Sequence, residues 1–373
     1  MARFNHISFF IIMLTGFALS GCKERYVQPV KDVNSNFLVV EGLINTGADS
    51  TIFNLSYTFK LDGKAIVTPE KTATVSVETE NGPVYALPET IKGGKYGANL
   101  GLDPAKKYRL RIRTKDNKEY VSQFVESKVS PPFNLNYNFD NNALNFTLDT
   151  YDASGKSIYY KYDYEETWEY ESQLFSSFKI ENGNILPRNL STENIHTCWR
   201  VLPSPNILLT STANLSESRV TDRPILSIPS KSQKLHIEYS ILVKQSVLTA
   251  EAFAFWETLR NNTEKVGSIF DAQPSQLFGN IKSTSNADET VIGFVSAGTV
   301  TQKRLLFIVS EFPSPWFNVE DKTECLEAVS KITFLRSTGR QFIPLDAGGG
   351  TEKLSCADCR LFGGSTQKPS YWK

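Results

Sequence analysis

The segment Tyr159–Tyr170 combines aromatic and acidic side chains more densely than the rest of the sequence. Paired carboxylates beside aromatic rings are what glycoside hydrolysis requires, with one acid and one base or nucleophile. Adjacent Glu165 and Glu166 would point to opposite faces of an extended strand, so they could not form that pair. Glu166 would instead share a face with Trp168, which favours a strand whose aromatic face packs against a sheet.

A binding surface is the functional alternative for this segment, because aromatic side chains are enriched where proteins contact partners. Side chains two residues apart lie on the same face of a strand, so such a surface would use alternate positions. The candidate ligand- or partner-contacting residues are Tyr162, Tyr164, Glu166 and Trp168.

The cysteines are the second informative set, with Cys22 followed much later by Cys198, Cys325, Cys356 and Cys359. An even number of cysteines beyond Cys22 favours two disulfides in an exported protein. Cys356 and Cys359 are too close to form an obvious long-range bridge with each other. We therefore expect each to pair with a different distant partner, Cys198 or Cys325. A zinc site or a redox pair is the alternative, but no second closely spaced pair and no thioredoxin-like βαβ pattern accompany them.

Other catalytic constellations are weak. After residue 21 the histidines are His196 and His236, and neither comes with a Gly-x-Ser-x-Gly elbow. No phosphate-binding loop or dinucleotide fingerprint occurs. We therefore predict no catalytic residue, no metal site and no cofactor. The 40 basic and 40 acidic residues cancel, so no overall field favours nucleic acid as a partner.

The first 21 residues have the pattern of a secretory signal peptide. Arg3 supplies positive charge, Ile7–Leu19 is a short apolar run, and two small residues directly precede Cys22. The run is shorter than the roughly 20 residues that an ordinary membrane-spanning helix needs. Its ending, Leu-Ser-Gly-Cys, resembles the lipobox of bacterial lipoproteins, which implies cleavage before Cys22 and acylation of that residue. Residues 22–35 would then be a tether to the lipid bilayer.

The region 36–130 alternates apolar and polar residues in short segments, as strands with one buried face do. One such segment begins at Phe53, and two others meet at Asn81-Gly82, a strong hairpin signal. Gly94–Tyr96 and the strand that follows resemble small immunoglobulin- or transthyretin-like modules of secreted bacterial proteins. The pattern predicts an antiparallel sandwich that ends at Pro131-Pro132, since proline is excluded from central strands.

The region 133–373 is predicted to be a larger, mainly-β domain with one inserted helix near 249–266. Thr249 is a plausible N-cap, and apolar residues follow it at helical spacing. Leu305–Val309 is a continuous apolar run, as for a strand buried on both faces. Long loops are expected around 204–229. The fold class is therefore all-β, with two domains.

Several segments, taken in chain order, resemble one family of Bacteroidota outer-membrane lipoproteins that carries only a domain-of-unknown-function label, number 4249. The segments of this resemblance are Val39–Ile44, Tyr160–Trp168, Cys198-Trp199, Lys234–Gln245, Gly267–Pro274, Gly279–Ile281, Cys356–Cys359, Gly363-Gly364, Lys368-Pro369 and Tyr371-Trp372. Together they run through nearly all of the chain that follows Cys22.

This resemblance implies placement in the outer membrane and frequent company with TonB-dependent transporters. Retention of lipoproteins in the inner membrane usually relies on Asp directly after the lipid cysteine; Lys23 stands there instead, so we expect the protein to face the cell surface. It supplies no activity and no catalytic residue. We therefore expect a non-enzymatic, lipid-anchored accessory subunit that binds or docks for such a transporter during uptake of a substrate. The alternatives are a hydrolase acting on surface glycans or peptides, and a structural or adhesive surface protein.

Overall fold

The computed structural model describes residues 37–58, 67–90, 93–264, 277, 279–286, 288–313, 316 and 323–372. Strands dominate these residues, and the predicted all-β class is confirmed. The predicted signal peptide over residues 1–21, the lipid attachment at Cys22 and the tether 22–35 lie outside the described residues.

The described strands are β1 (Leu38–Asn45), β2 (Thr51–Tyr57), β3 (Thr68–Pro69), β4 (Thr74–Thr79), β5 (Val84–Leu87), β6 (Lys95–Ala98), β7 (Lys107–Arg113), β8 (Glu119–Ser122), β9 (Val125–Lys128), β10 (Phe133–Asp140), β11 (Ala143–Asp152), β12 (Tyr159–Glu171), β13 (Phe178–Glu181), β14 (Asn184–Pro187), β15 (Thr197–Pro203), β16 (Leu208–Ser211), β17 (Ser218–Pro229), β18 (Glu238–Leu248), β19 (Ile281–Ser283), β20 (Val291–Ile292), β21 (Ser296–Gly298), β22 (Val300–Ile308), β23 (Val329–Ser330), β24 (Ile343–Pro344) and β25 (Gly350–Thr351). The described α-helices are α1 (Ala250–Glu264), α2 (Thr323–Glu327) and α3 (Ile332–Thr338).

The first sandwich forms where the sequence alternates. Strands β2, β4 and β7 bury every second side chain, and the apolar ones among these belong to one core. The predicted hairpin is present, because β4 pairs with β5 around Asn81, whose φ of 54° is the left-handed conformation that asparagine tolerates well. The chain leaves this sandwich after Lys128 and begins β10 at Phe133. The prolines at 131 and 132 therefore lie in the crossing, the short stretch by which the chain passes from the first sandwich to the second.

The chain later returns to the first sandwich, which differs from the predicted division into 36–130 and 133–373. Strand β19 pairs with β8, β20 pairs with β1, and β21 lies between β1 and β9 as a parallel strand. The returning segment also adds Ile281, Val291, Val295 and Ala297 to the first core. Strands of two or three residues are too short to show a period, so the sequence pattern did not reveal this return.

Asn280 fixes the entry of the returning segment. Its side-chain amide donates to the Val295 carbonyl at 2.8 Å, and its side-chain oxygen accepts from the Val295 N–H at 2.8 Å. The preceding Gly279 packs so closely that a Cβ there would lie 1.9 Å from the Gly293 carbonyl oxygen. These two contacts give a physical reason for the Gly-Asn pair at this point.

The second sandwich packs a three-stranded sheet, β10-β11-β17, against a sheet ordered β15-β12-β18-β22, in which β16 also pairs with β12. The two inner faces meet in one large core that includes Phe146 and Leu148 from the first sheet and Tyr160 and Ile241 from the second. Face-to-face packing of this kind is how antiparallel sheets bury their apolar sides.

Two local predictions in this region are wrong. Residues 218–229 form the long strand β17, although loops were expected there. The register of β17 on β11 shifts beside Pro224, as at a bulge. Because a bulge and a proline interrupt the alternation of apolar and polar residues, the sequence pattern does not indicate this strand. The run Leu305–Val309 is not buried on both faces, because Ile308 is 46% exposed. Within the described chain, β22 pairs only with β18 and so forms an edge of its sheet.

The predicted helix is present as α1, and the Thr249 hydroxyl accepts from the Ala252 N–H at 3.2 Å, as an N-cap does. The two shorter helices α2 and α3 were not predicted. None of the described helices combines the length and apolar character needed to cross a bilayer.

One disulfide joins the C-terminal segment, residues 323–372, to the second sandwich, and another lies within that segment. Cys198 pairs with Cys359, and Cys325 pairs with Cys356. Two bridges, with Cys356 and Cys359 each bonded to a different distant cysteine, are what the sequence predicted. All four cysteines are buried.

Removing each bridge tests how the C-terminal segment is held. The Cys198–Cys359 bridge spans 161 residues of sequence and the Cys325–Cys356 bridge spans 31. In the chain-entropy account each bridge stabilises by about 2–5 kcal/mol, and the longer loop contributes about 1.5 kcal/mol more. We expect urea unfolding to show a larger loss for the double variant C198S/C359S than for C325S/C356S. An equal or larger loss in C325S/C356S would contradict this assignment.

Candidate functional site

Strand β12 places the four predicted contact residues inside the protein. Tyr162, Tyr164, Glu166 and Trp168 have exposures of 0, 6, 4 and 5%. Their side chains face the sheet β10-β11-β17, and burial raises the pKa of Tyr162 and of Tyr164. A ligand or partner outside the protein cannot reach them, so the predicted contact surface is wrong. The sheet-packed aromatic strand favoured from the same pattern is confirmed.

Glu166 is a structural group within this core. Its carboxylate accepts from the Lys234 ammonium at 2.7 Å and from the Tyr239 hydroxyl at 3.0 Å. The Lys234 ammonium also lies 5.2 Å from the Trp168 ring centroid. Burial, together with the nearby carboxylate, raises the pKa of Tyr239 well above its ordinary value. The pairing satisfies a carboxylate that would be costly to bury alone.

The opposite face of β12 points away from this core. Glu165 lies on that face and pairs with Arg304 at 3.3 Å, so the adjacent glutamates do point in opposite directions, as predicted. The outward side chains of the strand are Tyr159, Lys161, Asp163, Glu165, Thr167 and Glu169.

Part of this outward face is covered by residues near the C-terminus. The Tyr371 and Thr167 hydroxyls are hydrogen-bonded at 2.8 Å, and the Arg304 guanidinium lies 3.5 Å from the Tyr371 ring centroid. The Trp372 indole N–H donates to Glu169 at 3.0 Å. These contacts cover the end of the face near Thr167 and leave the end near Lys161 open.

The open end forms one side of a cleft of about 500 Å³ between the two sandwiches. Strands β12 and β18 supply one wall and β1 and β2 of the first sandwich supply the other, while α1 and the returning segment complete it. Its lining includes Glu41, Asn54, Lys161, Asp163, Lys244, Trp256 and Phe294. We call this space the inter-sandwich cleft.

The cleft combines both signs of charge with an aromatic surface. Lys161 forms an ion pair with Asp163, and its ammonium lies 4.7 Å from the Trp256 ring centroid, a cation–π distance. Lys244 lies directly opposite Asp163 on the neighbouring strand. Glu41 adds a second carboxylate from the facing wall. Such a lining suits a polar ligand that hydrogen-bonds and also presents a flat or apolar face.

Gly42 lets the wall formed by β1 and β2 close tightly. A Cβ at this position would lie 2.4 Å from the Ile52 carbonyl oxygen and 2.5 Å from the Phe53 ring. The two strands pair here in register, Gly42 opposite Phe53. A glycine directly after Glu41 is therefore required by close backbone approach.

His196 makes contacts that superficially resemble part of a hydrolase triad. Its Nδ1 lies 2.8 Å from the Ser172 hydroxyl oxygen, and its Nε2 lies 3.4 Å from the Glu171 carboxylate. The Ser172 hydroxyl donates to the Leu174 carbonyl, and the residue is only 2% exposed. A serine buried in this way is not presented to a substrate, so the contacts indicate a structural histidine. In the described residues, no group of three or more His, Cys, Asp or Glu side chains could hold a metal.

The family model described as "Domain of unknown function (DUF4249)" matches residues 23–304. The chain belongs to this family. The matched part contains all lining residues of the inter-sandwich cleft, whereas Cys325, Cys356 and Cys359 follow it. No curated protein matches the chain.

Two solved structures illustrate the distant likeness of this DUF4249 protein to other chains. A chain of a cytokine receptor complex is 12% identical, with 56% of this chain and 90% of that chain covered and a TM-score of 0.18. The Yersinia pseudotuberculosis adhesin InvE is 13% identical, with 58% of each chain covered and a TM-score of 0.16. TM-scores of this size carry no argument about function.

The assignment of the two faces of β12 can be tested with two adjacent substitutions. Glu166→Ala leaves the Lys234 ammonium without its buried partner and should cost about 2–3 kcal/mol of unfolding free energy. Glu165→Ala removes a partly exposed pair and should cost less than about 1 kcal/mol. Chemical denaturation of the two variants measures the difference. Equal losses of unfolding free energy would contradict the assignment of Glu166 to the buried face and Glu165 to the outward face.

Proposed function

We propose that this protein is a lipid-anchored outer-membrane subunit that binds a small polar ligand in the inter-sandwich cleft and docks to a TonB-dependent transporter. The observation that carries the binding role is the cleft itself. Its volume of about 500 Å³ lies within the range of sites that enclose small molecules. Its charged and aromatic lining can orient a polar ligand without a metal or a cofactor.

The anchor is supported by the residues that precede the fold. Leu-Ser-Gly-Cys ends the apolar run at Cys22, and the first strand begins at Leu38. The intervening residues could span roughly 50 Å if fully extended, at about 3.3–3.6 Å per residue. An acylated Cys22 would therefore keep the first sandwich near the membrane and leave it room to reach a neighbouring protein.

The transporter is proposed as partner from the family resemblance, which places such lipoproteins beside TonB-dependent transporters. Confinement to one membrane raises the effective concentration of the two proteins, so a modest interface would suffice for docking. The ligand would be captured in the cleft and passed to the transporter for uptake.

A pull-down from native outer membranes tests this role. After mild detergent and crosslinking, the tagged protein should bring down a TonB-dependent transporter above background. The Cys22→Ser variant should leave the membrane fraction, or keep its signal peptide, and should lose the transporter as well. Recovery of the wild-type protein alone would overturn the docking role. Normal membrane fractionation and unchanged acyl labelling of Cys22→Ser would overturn the anchor.

A further inference from the structure

A second cavity, of about 610 Å³, lies where the hairpin β13–β14 meets the C-terminal segment. It shares no lining residue with the inter-sandwich cleft. Its lining contains one carboxylate, that of Asp358, and five basic side chains. These basic residues are Lys179, Arg188, Arg336, Arg340 and Arg360.

Nearby carboxylates already engage three of the five basic groups. Lys179 pairs with Glu193 at 2.5 Å, and Arg360 binds Asp358 through two nitrogens. The pair between Arg340 and Glu352 is longer, at 3.4 Å, and the Arg340 side chain is 76% exposed. These pairs are formed within the protein, so they do not account for the remaining two arginines.

Arg188 and Arg336 bind backbone carbonyl oxygens instead of carboxylates in the described structure. Arg188 donates to the Phe178 carbonyl at 2.9 Å, and Arg336 donates to the Gly183 carbonyl at 3.5 Å. The Nε of Arg188 is buried and has no acceptor among the described residues. Burial lowers the pKa of Arg188 and the positive charge of Arg360 lowers it further, while the Glu193 and Asp358 carboxylates oppose this shift without binding the guanidinium directly. A positive charge in this setting would be stabilised by an anion brought from outside.

Two disulfides hold one wall of this cavity. Cys356 is bonded to Cys325 and Cys359 to Cys198, and Asp358 and Arg360 lie beside these two bridges. A wall held in place covalently loses little conformational entropy on binding. The cavity also has an apolar part, made by Ile180, Ile195, Phe342, Ile343 and Leu354.

We propose that this cavity binds a small organic anion, with an oxyanion group on Arg188 and Arg336 and an apolar body against the isoleucine and phenylalanine side chains. Guanidinium groups present paired N–H donors that match the oxygens of phosphate and carboxylate. Both head groups share this chemistry, and the test separates them. The site is independent of the transporter and of the inter-sandwich cleft.

Titration calorimetry on the mature protein in mild detergent tests the site with three probes of similar shape. Phenyl phosphate and benzoate carry an anionic head, and benzyl alcohol carries none. We expect at least one anion to bind, benzyl alcohol not to bind, and Arg336→Gln to raise the Kd about tenfold or more. Arg219→Gln is the matched control, because Arg219 is an exposed arginine paired with Glu217 outside this cavity.

The preferred head group follows from which anion binds more tightly. Arg188→Gln should weaken binding at least as much as Arg336→Gln, and retention of the wild-type unfolding midpoint shows that a variant is folded. Arg336 is exposed, so Arg336→Gln is expected to fold. This variant therefore still tests the site if Arg188→Gln does not fold. Three outcomes would overturn the proposal: no binding of either anion, equal binding of benzyl alcohol, or an unchanged Kd in Arg336→Gln.

Discussion

The insertion of β21 between β1 and β9 is the interaction on which the rest of the structure depends. This three-residue strand forms parallel ladders on both sides, and it belongs to a segment that has already passed through the second sandwich. Without it, β1 and β9 would each present unpaired backbone donors and acceptors within the sheet, which is costly away from water. The first sandwich is therefore completed by chain that arrives from the second, and the two cannot be independent units.

The inter-sandwich cleft follows from this connection together with the crossing at Ser130. The Gln245 amide donates to the Ser130 hydroxyl and to the Pro131 carbonyl, at 3.2 and 2.9 Å, and Gln245 is fully buried in β18. The Ser130 N–H donates to Thr299, next to β21. The outgoing and the returning chain are thus held at one place beside the cleft. A buried polar cluster of this kind fixes the two sandwiches relative to each other, because a shift of either one would break these hydrogen bonds and leave buried polar groups unsatisfied.

Local periodicity predicted much of the fold, and long-range pairing could not be predicted from it. The alternation in β4, β7 and β12 gave strands with one buried face, and Thr249 marked the start of α1 correctly. For β12, however, the alternation of side chains assigns residues to two faces of the strand but does not determine which face packs against the other sheet. The sequence therefore favours a sheet-packed aromatic face but leaves a contact surface as the alternative, and the structure places this face in the core. The outward Lys161 and Asp163 of the cleft were not predicted. Their alternation with tyrosines was the available signal.

The account is tested most directly by comparing the unfolding of the two sandwiches in one sample. All five tryptophans lie between residues 168 and 372, so indole fluorescence reports on the chain outside β1–β9. Hydrogen exchange of peptides from β4 and β7 reports on the first sandwich. Because β21 joins the two, we expect both signals to change at the same urea concentration, as in a cooperative two-state transition. Separate midpoints, with β7 still protected after the tryptophan signal is lost, would contradict the account.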